Sequence, residues 1–159
     1  MPFTSPQKEV LTSNARFRVL ISGRRFGKTF LAINELAKFA RFPNQKVWYV
    51  SPSYRQSKNI CWSMLKDQII KHKWAKKIND SDLSIILKNN SIIQLKGADN
   101  EQSLRGVGLN FIVLDEFADI KPQAWYEVLR PTLSDTQGHA LFCGSPKGFN
   151  FAYDLYTRQ

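Results

Sequence analysis

The segment Ser22-Gly23-Arg24-Arg25-Phe26-Gly27-Lys28-Thr29 limits what this chain can fold into more than any other stretch. It fits the pattern G-x-x-x-x-G-K-[ST] everywhere except the first position, where Ser22 replaces glycine. Before it, Phe17-Arg18-Val19-Leu20-Ile21 reads as a buried strand. After it, Phe30, Ile33, Leu36, Ala37 and Ala40 fall at helical spacing, so Thr29 to Arg41 reads as a helix that stops before Pro43. A strand, a glycine-bearing loop and a helix N-terminus together make an anion nest of successive backbone N–H groups. Gly27 permits close backbone approach, Lys28 is placed to reach the β- and γ-phosphates, and the Thr29 hydroxyl is placed to bind Mg²⁺. The nucleotide-binding candidates are therefore Ser22, Gly23, Arg24, Arg25, Phe26, Gly27, Lys28 and Thr29. Arg24 and Arg25 could touch the γ-phosphate or sense its loss, or could instead face solvent or DNA; Arg24 is also a catalytic candidate.

A second constraint lies downstream. Phe111-Ile112-Val113-Leu114 is an apolar run that ends in two adjacent acids, Asp115 and Glu116. Unpaired charge beside a core is costly, so such an ending points to a ligand for the charge. Asp115 is expected to hold Mg²⁺ opposite Thr29, and Glu116 to polarise the attacking water as general base. An adjacent glutamate of this kind suits hydrolysis better than nucleotide kinase chemistry, which activates no water.

The rest of the chain alternates strands with helices. Lys46 to Val50 reads as a strand stopped by Ser51-Pro52, and Arg55 to Lys73 as a helix with Ile60, Met64, Leu65 and Ile69 along one side. Leu83 to Leu87 and Ser91 to Leu95 flank Lys88-Asn89-Asn90, which predicts a β-hairpin because asparagine tolerates positive φ. Gln123 to Leu133 reads as a short helix that Pro131 could end early, and Ala140 to Cys143 as a strand ending at Gly144-Ser145-Pro146. The fold class that follows is α/β: a P-loop NTPase of the ASCE type, with a mainly parallel central sheet flanked by helices plus a β-hairpin insertion. Ligands of such sheets bind at the carboxyl ends of the strands, where all of these polar motifs fall.

At 159 residues the chain is long enough for one core. No apolar run approaches the roughly 20 residues that cross a bilayer, and Met1-Pro2-Phe3-Thr4-Ser5-Pro6 lacks the basic and apolar parts of a signal peptide. An intracellular protein without membrane contact is expected. Cys61 and Cys143, neither in a C-x-x-C pair nor near His72 or His139 in sequence, read as reduced cysteines, not zinc ligands. The net charge of +10 favours a polyanionic partner, nucleic acid being the common one, although stretches such as Lys71 to Lys77 could be a solvated face.

With both motifs placed, the chain resembles the N-terminal ATPase domain of bacteriophage large terminases, the DNA-packaging motors. The resemblance covers roughly Thr4 to Tyr156 and rests on four features besides the acids: the arginine-rich loop, Ser5-Pro6-Gln7, Tyr49-Val50-Ser51-Pro52-Ser53-Tyr54-Arg55-Gln56, and Ser103-Leu104-Arg105-Gly106 followed later by Gly144-Ser145-Pro146. It implies that Gln7 binds the adenine edge, that Gly144, Ser145 and Pro146 couple hydrolysis to DNA-gripping parts, and that Arg105 serves a neighbouring subunit as an arginine finger. It further implies ATP as substrate with Mg²⁺, and a homo-oligomeric ring around double-stranded DNA. The ring would dock on a portal protein with a small terminase subunit, in the host cell cytoplasm. Full large terminases carry a C-terminal nuclease domain, so residues 1–159 are expected to be a truncated ATPase domain without it. Two other readings stand beside this one. Asp115-Glu116-Phe117-Ala118-Asp119 resembles a helicase motif with one residue inserted, and a nucleotide-binding assembly module could keep the fold without turnover.

Overall fold

The computed structural model describes residues 13–21, 23 and 27–145. Seven strands form one sheet: β1 (Phe17–Ile21), β2 (Lys46–Ser51), β3 (Ala75–Asn79), β4 (Ser84–Leu87), β5 (Ile92–Gly97), β6 (Phe111–Asp115) and β7 (His139–Gly144). Their order is β1-β7-β6-β2-β5-β4-β3. The pairs β1/β7, β7/β6, β6/β2 and β2/β5 are parallel, while β5/β4 and β4/β3 are antiparallel. One strand, β7, stands between β1, which leads into the phosphate loop, and the acid-bearing β6. This is the expected mainly parallel α/β sheet.

The central strands are apolar on both faces because both are covered. Helix α1 (Lys28–Ala40) and helix α2 pack on one face, where Leu31, Ile33, Leu36, Leu65 and Ile69 meet Val47, Tyr49, Phe111, Val113 and Leu141. Helix α2 is continuous through Tyr54–Ser57, Lys58–Trp62 and Ser63–Lys71. A third helix, α3, is made of Ala124–Leu129 and Arg130–Thr132. It covers the opposite face, with Trp125, Leu129 and Leu133 against Trp48, Ile112, Leu114 and Phe142. Trp125 and Phe142 meet edge to face at 4.8 Å.

Three local readings are corrected. Ile60 and Met64 are exposed, at 41% and 40%; Cys61, Trp62, Leu65 and Ile69 are the inward residues of α2. The middle segment Lys58–Trp62 is π-helical. The basic stretch at Lys71 to Lys77 is partly a strand: β3 forms the sheet edge, with exposed Lys76 and Lys77 guarding an otherwise open ladder. Pro131 sits inside the last turn of α3 and does not shorten it. The hairpin is present, with Asn90 at φ 70° in its turn, and its second strand is also paired to β2 within the main sheet. The side chain of Asn89 donates to the carbonyls of Ala40, Arg41 and Phe42 at 2.9–3.3 Å, satisfying the free end of α1.

Helix α1 is also fixed to β1 through the buried ion pair Arg18–Glu35, whose side chains are 6% and 0% exposed. Both ends of the phosphate loop are thereby tied to the same rigid unit. At the far side of the site, a Cβ on Gly97 would lie 1.9 Å from the backbone nitrogen of Tyr54. That overlap is with backbone and cannot be relieved by a rotamer. Gly97→Ala is expected to cost about 3 kcal/mol or more, lowering the thermal midpoint by ~10 °C. Thermal denaturation followed by circular dichroism checks this, and an unchanged midpoint would contradict the close packing of β5 on the Ser53–Tyr54 corner.

Candidate active site

The carboxyl ends of β1, β7 and β6, neighbouring parallel strands, lie side by side along one edge of the sheet. At the end of β1, Gly27 has φ 78°, a left-handed conformation in which a Cβ would be strained, and it forms the N-terminal boundary of α1. Lys28 is the first residue of that helix, and its side chain is 11% exposed. Thr29 follows in the same turn. At the end of β6, Asp115 is 5% exposed and lies on the α1 face of the sheet, the face shared by Phe111 and Val113. Glu116 leaves the strand at φ 49° and ψ 48°, a left-handed residue that is not glycine. Holding a side chain there costs on the order of 1–3 kcal/mol, which the surrounding packing must sustain. The result of this turn is a contact: Lys28 Nζ lies 3.2 Å from Glu116 Oε1. The loop lysine and the second acid are thus brought together across 88 residues of sequence.

Asp115 is held from both sides. Its Oδ1 accepts the backbone N–H of Glu116 at 3.0 Å, and its Oδ2 accepts the hydroxyl of Tyr49. Burial drives its carboxyl above the usual carboxylate range, opposed chiefly by the Tyr49 hydrogen bond. Burial also raises Tyr49 well above the ordinary phenol, with the Asp115 charge adding to the effect, so the hydroxyl remains a donor. Cys61, pushed up to about 12 by burial, and Cys143, also raised by burial, are neutral thiols beside this carboxylate. Neither is a reactive thiolate. Among the described residues no group of three or more His, Cys, Asp or Glu could cage a metal. A carboxylate and a hydroxyl at a phosphate loop nevertheless suit Mg²⁺, which usually takes one or two protein oxygens and completes its shell from phosphates and water.

A family model described as terminase large subunit, T4likevirus-type, N-terminal, matches residues 19–159. The chain belongs to the terminase large-subunit family. It is 35% identical over 145 residues to the large terminase subunit of Escherichia phage T5, covering 89% of this chain and 33% of that protein. It is 29% identical over 172 residues to the large subunit of Thermus phage G20c, covering 94% of this chain and 35% of that one. The chain therefore spans about a third of the length of these curated relatives. Among solved structures, the large terminase ATPase domain of Thermus phage P74-26 superposes with a TM-score of 0.83 at 28% identity, over 97% of this chain and 68% of that one. A large terminase from a thermophilic bacteriophage, solved in complex with ATP-gamma-S, shares the fold, with a TM-score of 0.72 at 19% identity, over 90% and 38% of the two chains.

The other terminase motifs lie only in part within the described residues. Gln7, Ser22, Arg24, Arg25, Phe26 and Pro146 lie outside the described residues. Arg105 is exposed at the end of a 3₁₀ turn, Glu101–Leu104, with Gly106 next at φ 79°. It lines a surface cavity of about 400 Å³ with Glu127, Pro131 and Asp135, and none of Lys28, Asp115 and Glu116 lines that cavity. Gly144 closes β7 against Phe117: an added Cβ would lie 2.8 Å from its ring. The end of β7 thus rests on the turn that carries Glu116. Ser51-Pro52-Ser53 owes its place to capping. Ser53 Oγ accepts the Gln56 N–H at 3.1 Å at the start of α2, and Ser51 Oγ bonds Ser57 Oγ at 2.7 Å.

The residue that sequence reasoning missed is Tyr49. Its signal was available: a lone phenol in an aliphatic strand needs a partner for its hydroxyl when buried. What the sequence lacks is the register, Tyr49 beside Val113, which sets the ring two positions below Asp115 on the same face.

Proposed function

We propose that this chain is an ATP-hydrolysing motor domain that drives translocation of double-stranded DNA during viral genome packaging. The observation that carries the reading is the Lys28–Glu116 contact beside a buried Asp115, which unites the phosphate loop and the acidic strand end at one point. Lys28 leaves Glu116 for the β- and γ-phosphates when nucleotide arrives, and Glu116 is then free to accept a proton from the attacking water. Thr29 and Asp115 would hold Mg²⁺, which would supply charge neutralisation at the phosphates. Ser22, Gly23, Phe26 and Gly27 are assigned to phosphate binding, Arg24 and Arg25 to contacting the γ-phosphate or sensing its loss, and Gln7 to adenine recognition. Gly144, Ser145 and Pro146 are assigned to transmitting the state of the site, Gly144 through its packing against Phe117.

The names of the relatives support the motor assignment, since the P74-26 neighbour is itself a large terminase ATPase domain. The exposed position of Arg105, lining a cavity to which the described residues Lys28, Asp115 and Glu116 do not contribute, suits a finger offered to the next subunit of a ring. Double-stranded DNA is the partner that the terminase resemblance implies, held mainly through phosphates and so sensitive to salt, and the +10 charge is consistent with it. A portal protein and a small terminase subunit complete the assembly in the host cytoplasm. No helix among the described residues is long and apolar enough to cross a membrane.

Equilibrium binding of a fluorescent ATP analogue tests the nucleotide site. Lys28→Ala removes a charged hydrogen-bond donor to phosphate and is expected to weaken binding about 10- to 100-fold. Binding by the unaltered chain with no loss in Lys28→Ala would contradict the assignment of this loop.

A further inference from the structure

We propose that Tyr49 is a positioning residue, whose hydroxyl fixes the Asp115 carboxylate in the orientation that meets the nucleotide-bound metal. The inference rests on the reading of Asp115 as a metal-holding carboxylate. Tyr49 lies in the middle of β2, a central strand, and is fully buried. Its hydroxyl donates to Asp115 Oδ2, while the backbone N–H of Glu116 takes Oδ1. The two donors approach different oxygens, so together they stop rotation about the carboxylate bond and leave the remaining lone pairs available to a metal or its water. Lys28 donates to Glu116. Among the described residues, Tyr49 is the side chain recorded as a hydrogen-bond donor to Asp115. A phenylalanine would fill the same volume, so a phenol here adds a donor and nothing else to the packing.

Partners of this kind orient a metal-binding carboxylate and typically change metal affinity by about 10- to 100-fold when removed. The test uses this chain with a fluorescent ATP analogue, titrated with Mg²⁺ from a chelated, metal-free start. Tyr49→Phe is expected to raise the Mg²⁺ midpoint for tightened nucleotide binding about tenfold, while metal-free affinity stays within about twofold. On an Asp115→Asn background the same substitution is expected to shift the midpoint by less than about twofold, because the group it positions is already gone. An unchanged midpoint in Tyr49→Phe overturns the proposal, as does an equal shift with and without the Asp115 carboxylate. If Tyr49→Phe loses cooperative melting, the double variant Tyr49→Phe/Asp115→Asn decides: restored melting supports the hydroxyl–carboxylate link, and continued unfolding overturns it. Failure of the unaltered chain to bind the analogue at all would instead contradict the nucleotide site itself.

Discussion

Glu116→Gln is expected to lower the turnover number for ATP about 10²- to 10⁴-fold, the usual contribution of a positioned general base. Nucleotide binding should survive, and it should tighten if it changes at all. Lys28 Nζ is engaged by Glu116 at 3.2 Å, and a phosphate must displace that carboxylate to gain the lysine. Glutamine keeps the shape and loses the charge, so Lys28 is more available. A purely structural role for Glu116 would give the opposite pattern, because damage to the left-handed turn at φ 49° would weaken binding and stability together. Single-turnover phosphate release, read beside nucleotide affinity, separates the two. Loss of chemistry with retained affinity supports the general base; parallel loss of both contradicts it.

Arg105→Ala carries the other large effect. Supplied in trans, an arginine finger is worth about 10³- to 10⁵-fold in rate. The loss should appear only in assembled protein, since Arg105 lines a surface cavity with Glu127 and Asp135 to which the described residues Lys28, Asp115 and Glu116 do not contribute. Dilute protein should show the same slow turnover with or without the substitution. Mixing is the more telling experiment: Arg105→Ala supplies an intact phosphate loop, and Lys28→Ala supplies an intact finger. Restored turnover in the mixture would support action between subunits. Undiminished turnover of Arg105→Ala alone, in an assembled ring, would sink the finger assignment.

How far these features were legible in the sequence depends on how local their causes are. The strand Phe17–Ile21 and the acid-ended strand Phe111–Asp115 could be read because apolar runs and their polar endings are adjacent in the chain. The glycine at 27 could be read because its left-handed backbone excludes most other residues. The stripe of α2 was legible only in half: Leu65 and Ile69 are buried at helical spacing, whereas Ile60 and Met64 are apolar yet exposed, so residue type alone pointed to the wrong flank. Strand β3 was hidden for a different reason. It lies at the edge, and its lysines look like a solvated run until β4 is seen to pair with it. Tyr49 and Phe117 act through partners 66 and 27 residues away, Asp115 and Gly144, and only the sheet register brings them together. Asp115 and Glu116 are candidates from type and spacing alone, whereas the contact that joins Glu116 to Lys28 is tertiary.

The central claim, ATP hydrolysis at the Lys28–Asp115–Glu116 crevice in a DNA-driven assembly, is tested most directly by one measurement. Steady-state phosphate release from Mg²⁺–ATP should be followed across a wide range of protein concentration, with and without double-stranded DNA, using Glu116→Gln as the blank. Specific activity is expected to rise steeply with concentration, to rise further with DNA, and to be absent in the blank. Release that the Glu116→Gln variant matches at every concentration would contradict the account.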